Sequence, residues 1–500
     1  MTETPHRSLL HIWSALLLLM LLSVSLRWDA YPKTYFADEL IPRTMVKHMQ
    51  ASHSLDTNWE NADWRGDFAG GFYKLKQYNF SSYHTALLGL RELANLTALH
   101  DVPDLVLYRS VSLIFQLVCI VLVFSIANRL AGMSAGLLAA AFMALMPQAV
   151  VDAHYARPES FVMLLIALAS WLAMRAYAER NWRYILPEAV VWGVAFSCKF
   201  SFFPMVLLAC AAQIIRFRNP VILAIWCASF VAGIAISAPY ILLDIPGFFY
   251  GIKLLLGQYA PQSGESGWLA QYLPSAYQLF PYLGTFFSIP VLFVMVVSGV
   301  QRSSPARCFA WYASGISAFY ILLFASQGVF FERNFSHLMP LWAVMFALGF
   351  LVVFRFIKER WYFWVVAALF FIWPLYLSNQ INEYFFRGIE SVKDSASSYE
   401  ESLLAQYASA KVVPFQLMGA NPVESLSAQD ILRVPEHKLA GLQQVQLALE
   451  NAGFKRVGYF EMPLSFLPYN QLQINQFPPA YIYYRREARN RSDSDSEEQP

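Results

Sequence analysis

Eleven stretches of apolar residues, most of them about 20 long, recur along this 500-residue chain, separated by turns that carry its charges. A segment of that length is what is needed to cross roughly 30 Å of hydrocarbon as a helix. The stretches are Ser8–Leu26, Leu105–Ala127, Met133–Val151, Pro158–Tyr177, Tyr184–Ser197, Phe200–Ile215, Val221–Leu243, Ala276–Val300, Cys308–Ser326, His337–Phe354 and Trp361–Ser378. Tyr184–Ser197 and Phe200–Ile215 are expected to form a short pair broken at Cys198-Lys199. With 57% hydrophobic and 14% charged residues, the chain has more apolar surface than a soluble fold of this size can hide. The expected class is a mainly α, polytopic membrane protein.

Arginine and lysine set the orientation, because short cytoplasmic loops carry the excess. One set of helix ends holds twelve: Arg7, Arg129, Arg175, Arg180, Arg183, Arg216, Arg218, Arg302, Arg307, Arg355, Lys358 and Arg360. The opposite short loops hold four: Arg157, Lys199, Lys253 and Arg333. This places the N-terminus in the cytoplasm, with Ser8–Leu26 as a retained span, and the C-terminal region outside. Residues 1–378 are read as the membrane domain, with 27–104 as a long first extracytoplasmic loop that includes a surface helix over Tyr83–Leu99. Residues 379–487 are expected to form a small α/β domain, with strands at Val412–Leu417 and Phe454–Glu461 and a helix at Gly441–Asn451. The polar tail 488–500 reads as disordered.

Several classes drop out. No basic stripe points to nucleic acid, and neither a G-x-G-x-x-G nor a P-loop fingerprint is present. The five cysteines lie in or beside apolar segments, which argues against disulfides or a zinc site. The unusual polar residues fall on one side of the deduced topology. Asp38 and Glu39 follow the first span, and Asp152, His154, Tyr155, Arg157 and Glu159 lie within VDAHYARPES. Lys199 sits at the tip of the short pair, Asp244, Lys253 and Glu265 follow the seventh span, and Glu332, Arg333 and His337 precede the tenth. Ionisable groups near hydrocarbon are costly unless paired or solvated, so a mixed cluster implies a polar cavity. Acids there can act as general bases, and Arg or Lys can hold a phosphate. Each residue also has a structural reading: a helix-start acid for Asp38 and Glu159, a snorkelling cation for Lys199, a local ion pair for Glu332-Arg333.

In order along the chain stand a first span, ADEL, YNFSSYHTALLGL, AHYARPES, GVAFSCKFSFFP and FERNFSHLMPLWAV. This series resembles the GT-C membrane glycosyltransferases, in particular the branch of protein mannosyltransferases and lipid A aminoarabinose transferases. The usual histidine-proline after the first loop is replaced by Tyr83-His84-Thr85. The resemblance implies a bundle of about 11 transmembrane helices and an inverting transfer from a polyprenyl-phosphate-linked sugar, the co-substrate, to lipid A, a cell-envelope glycan or a protein. By the same resemblance Asp38 is the general base, with Glu39 and Asp152 beside it as catalytic acids. Lys199, Arg157 and Arg333 would bind the donor phosphate. His154, Tyr155, Glu159, Tyr83, His84 and His337 would contact substrate. A divalent cation, magnesium or manganese, would be held by Asp38, Asp152 and His154 if one is used. The compact loops and bare tail suit a bacterial inner membrane with a periplasmic site. A lipid-linked sugar transporter or flippase, or a non-catalytic glycan-assembly partner, is the alternative.

Overall fold

A computed structural model describes residues 5–27, 37–64, 75–179, 181–259, 305–325, 332–354, 360–383, 389–407, 412–414, 431–435, 449–451, 453–461 and 480–486. The chain divides into two compact units, Met1–Phe386 and Arg387–Pro500.

In chain order the helices of the first unit are α1 (Pro5–Ser25), α2 (Ala37–Ser52), α3 (Ser81–Asn95), α4 (Asp104–Ala131), α5 (Met133–Leu145), α6 (Pro147–Ala153) and α7 (Pro158–Glu179). They continue as α8 (Ile185–Cys198), α9 (Phe203–Phe217), α10 (Pro220–Ser237), α11 (Pro239–Leu243), α12 (Ile245–Tyr259), α13 (Pro305–Ala325), α14 (Met339–Val353) and α15 (Arg360–Glu383). Among the described residues six helices are long and apolar enough to cross a membrane, or seven if α5 and α6 form one span bent by 57°. Parts of α1, α9 and α12 are shorter apolar helices. The expected short pair is present as α8 and α9, parted at Lys199, but neither half has full spanning length. The expected span Ala276–Val300 lies outside the described residues. Residues 245–259, read from the sequence as loop, form a helix. Their charges are few and their apolar residues recur at helical spacing.

Prolines decide where the long apolar runs break. A proline cannot donate a backbone hydrogen bond and drives the residue before it out of the helical region. Met146 (φ −68°, ψ 123°) precedes Pro147 and divides α5 from α6. Ala238 (φ −157°, ψ 64°) precedes Pro239 and splits the expected run Val221–Leu243. Pro158 opens α7, and a 3-10 turn over Glu332–Leu338 leads into α14. Inside a bilayer the carbonyls such breaks release need donors from the protein itself. At the α5–α6 break Arg27 supplies two: its guanidinium donates to Ala144 O (2.9 Å) and Met143 O (3.3 Å). Ser378 Oγ donates to the third carbonyl, Leu145 O, at 2.8 Å.

The core is built around α5, whose run AGLLAAAFMAL is almost wholly buried between α1, α4 and α14. The tightest crossing joins α8 to α10. A Cβ at Gly193 would stand 2.2 Å from Phe230 O, and one at Gly233 would stand 2.3 Å from Val190 O. Close backbone approach at small residues is the usual solution where lipid leaves no hydrophobic drive between helices. It matters for the site because α8 ends at Lys199.

In the second unit, α16 (Ile389–Gln406) accompanies β1 (Val412–Pro414), β2 (Ile431–Pro435), β3 (Phe454–Glu461) and β4 (Ala480–Arg486). The sheet order is β1-β2-β4-β3; β1 runs parallel to β2 and the other pairs are antiparallel. Leu403 of α16 packs on Ile431 and Tyr483. The expected strands at 412 and 454 are present, and residues 449–451 are helical, whereas 441–448 and the tail 488–500 lie outside the described residues. β2 and β4 were not expected from sequence: ILRVP is too short, and AYIYYRR merges into the charged tail.

The α8–α10 crossing yields a first prediction. Gly193→Ala should lower the melting temperature of the purified protein, because overpacking costs about 1–3 kcal/mol and here the clash is with backbone. Gly315→Ala on α13, where nothing lies within 4 Å of an added Cβ, should not. Equal melting of the two variants would contradict the close crossing.

Candidate active site

The polar residues scattered over the sequence form one buried network. Glu39, in the first turn of α2, is completely buried and gripped on both oxygens by Arg109 of α4. Nε donates to Oε1 at 2.8 Å, and Nη2 bonds Oε2. The Ala156 N–H donates to the same Oε1 at 2.6 Å. One carboxylate thus ties α2 to α4 and to the turn 154–157. Asp38 precedes Glu39 on α2, so its backbone is fixed by this clamp; its side chain lies outside the described residues, as does that of Glu332.

Asp152, in the last turn of α6, has no exposed surface. It accepts from Ser336 Oγ (2.5 Å) and Gln148 Nε2 (2.9 Å), and Arg157 Nη2 stands 3.5 Å from Oδ1. Arg157, 2% exposed, also pairs with Glu159 (3.6 Å) and lies 4.3 Å above the Tyr155 ring. Glu159 binds Lys199 Nζ at 2.9 Å and lies in the positive field of Arg333. Three cations therefore surround two carboxylates, which is how charge survives where water is scarce. Lys199 is extended (φ −141°, ψ 114°) between α8 and a 3-10 turn over Phe200–Phe202. At 17% side-chain exposure it is the accessible member of its pair with Glu159, which is 3% exposed. Its Nζ lies 5.7 Å from the Phe80 ring centre, and the Phe80 N–H donates to Cys198 O at 2.9 Å, so the first loop is pinned to this break.

The histidines divide. His154 is buried; Nδ1 stands 2.7 Å from Val150 O and Nε2 3.2 Å from Asn382 Oδ1 of α15, and burial pushes its pKa down to about 4. Its ring is neutral and fixed at both ends. His84 on α3 is fully buried against Phe80 and Tyr83, neither ring nitrogen has a hydrogen-bond partner, and burial pushes it down to about 3. His337 packs 4.5 Å from the Tyr320 ring and 5.0 Å from Phe202, with Nε2 unpartnered and in the field of Lys199. Tyr83 is buried against Phe161 in the field of both Glu159 and Glu39. Among the described residues no three His, Cys, Asp or Glu side chains converge where a metal could sit. The donor atoms of Asp152 and His154 are turned to protein partners, so these two do not form a cation cradle.

Sequence reasoning missed Arg109, Gln148, Ser336 and Asn382. Arg109 stands inside an apolar run with no charged neighbour to mark it. It also missed a second polar node, where Lys76 Nζ (3.1 Å) and Tyr78 Oη (2.9 Å) meet Asp244 Oδ2. Gly247 is required there, since a Cβ would stand 2.1 Å from that oxygen. The adjacent YKLKQYNF, with its lysines beside a tyrosine, was the available signal.

Residues 93–242, which hold Arg109, Asp152, Glu159 and Lys199, match the dolichyl-phosphate-mannose-protein mannosyltransferase family. The fold is similar to that of ArnT from Cupriavidus metallidurans bound to undecaprenyl phosphate, with 12% identity and a TM-score of 0.52 over 96% of this chain and 98% of that one. The apo state of the same protein gives a TM-score of 0.50 at 12% identity over the same shares, 96% and 98%. The apo oligosaccharyltransferase of Archaeoglobus fulgidus gives 0.51 at 12% identity, over 78% of this chain and 58% of that one. No curated protein sequence matches the chain. The family match over residues 93–242 and the similarity of fold agree with the resemblance read from the ordered motifs.

The Glu39 clamp gives the second prediction. Arg109→Met leaves a buried carboxylate without its counter-ion and should cost about 3–5 kcal/mol, read as lost thermal stability. Combining it with Glu39→Met should recover much of that loss. A double variant as unstable as the single one would show that Arg109 contributes packing alone.

Proposed function

We propose that the protein transfers one sugar from a polyprenyl-phosphate-linked donor to a hydroxyl or amine of lipid A, a cell-envelope glycan or a protein, at the outer face of the cytoplasmic membrane. The observation that carries this reading is Lys199, a partly exposed cation at a helix break, held by Glu159 three residues after Ala156, whose N–H holds the Glu39 carboxylate next to Asp38. The similarity to ArnT, which was crystallised with undecaprenyl phosphate, supports a lipid-phosphate donor.

In this reading the acceptor oxygen or nitrogen gives its proton to the Asp38 carboxylate and bonds to the anomeric carbon. The bond from that carbon to the phosphate oxygen breaks on the opposite face, inverting the centre, and its electron pair leaves with the lipid phosphate. Lys199 and Arg333 stabilise the charge that grows on the phosphate. Such preorganised electrostatics is usually the largest part of a rate enhancement. Arg157 is too deeply enclosed to meet a lipid headgroup; it positions Asp152 and Glu159. Glu39 positions Asp38 through Arg109 and Ala156. Tyr83, His84, Tyr155, His154 and His337 shape the walls behind these groups.

Asp38→Asn should reduce sugar transfer by about 10²–10⁴-fold, the range of a lost general base, while lipid-donor binding persists. Lys199→Met should weaken both donor binding and turnover. Near-normal turnover of Asp38→Asn with purified donor and acceptor would remove the base assignment. Donor flux across proteoliposomes without covalent change would replace the transferase reading with a transporter.

A further inference from the structure

At the end of the bundle away from Lys199, helices α4, α7, α8, α9 and α13 border a partly open cavity of about 150 Å³. It lies beside the last turns of α4, α7 and α9 and the first turns of α8 and α13. Its walls are largely apolar, but Glu188 and Ser170 line it. Glu188 is completely buried. Trp192 Nε1 donates to its Oε1 at 2.9 Å, and Gln213 Nε2 (2.9 Å) and Trp226 Nε1 (3.4 Å) donate to its Oε2.

The composition of that shell bears on the charge. Indole N–H groups only donate, so neither Trp192 nor Trp226 can accept a proton from a neutral acid. An ionised carboxylate, acceptor only, suits them. Yet among the described residues no lysine, arginine or histidine forms an ion pair with Glu188, whereas Glu39, Asp152 and Glu159 each have one. Buried charges are ordinarily paired, so among the described residues Glu188 lacks the counter-charge that the other buried carboxylates have. Ser170, 8% exposed, lines the same cavity, and its hydroxyl has no hydrogen-bond partner.

We propose that this cavity is a second binding site that takes a primary ammonium carried on an apolar body, with Glu188 as its counter-ion and the Ser170 hydroxyl as an acceptor. The same chemistry is offered by the amine headgroup of an aminophospholipid and by a free amphiphilic amine.

The test uses the full-length protein in detergent, titrated with n-hexylammonium and with n-hexanol, following thermal stability. The ammonium should stabilise at a concentration at least tenfold lower than the alcohol. Glu188→Gln should erase that preference. Ala209→Leu, which narrows the cavity from α9 and leaves Glu188 itself in place, should abolish both effects while sugar transfer continues, and it serves if the Glu188 variant does not fold. In nanodiscs, native mass spectrometry distinguishes the sources. Phosphatidylethanolamine retained over phosphatidylcholine by the parent protein and not by Ala209→Leu identifies a headgroup; hexylammonium binding without such retention identifies a free amine. Equal stabilisation by alcohol and ammonium, or an unchanged preference in Glu188→Gln, would overturn the proposal.

Discussion

Hydrocarbon offers no partner to a polar group, and this one condition organises the first unit of the protein. Wherever a proline interrupts a helix, carbonyls lose their donors and the chain must supply others. At Pro147 the replacements come from far away in sequence: Arg27 from the end of α1 and Ser378 from α15. The break that bends α5 into α6 is therefore also what fastens the first and last described helices of the bundle to its centre. Asn382 extends the same stitch, meeting Ser25 O at 3.4 Å and His154 at 3.2 Å.

Charge obeys the same condition. Asp152, Glu159 and Glu39 are each within 3% of complete burial, and each has an Arg or Lys in contact. Such pairs seldom add net stability over apolar packing of similar shape. Their value here is positional. Every partner comes from a different element, so the network holds α2, α4, α7 and the α8–α9 break in one register. Lys199 gains a fixed place without being buried, because Glu159 behind it absorbs the desolvation.

These principles also explain what was legible in the sequence. Lys199 could be found because a lone lysine between two apolar runs has few places to sit except a break. Pro158-Glu159 read correctly as the start of α7 because proline and acid both favour a first turn. Arg109 could not be found. Its partner is 70 positions away, and α4 is otherwise so uniformly apolar that no face distinguishes itself. The pairing of Asp152 with Ser336, 184 positions apart, was hidden for the same reason. Short strands such as Ile431–Pro435 acquire their identity from β4, which pairs with them only in three dimensions. The eleven expected spans rested on hydropathy, which counts apolar length but is blind to the backbone turns that shorten α5, α8 and α9.

Glu188 is the exception that gives the pairing rule its use. Its helix α8 carries Lys199 at one end and this carboxylate in the first turn of the other. One end of α8 therefore presents a cation whose acid lies behind it, and the other an acid with no cation paired to it among the described residues. The two ends are joined through Gly193, where α10 lies against α8 too closely for either helix to shift independently. The crossing fixes the middle of α8 against α10, between its two charged ends.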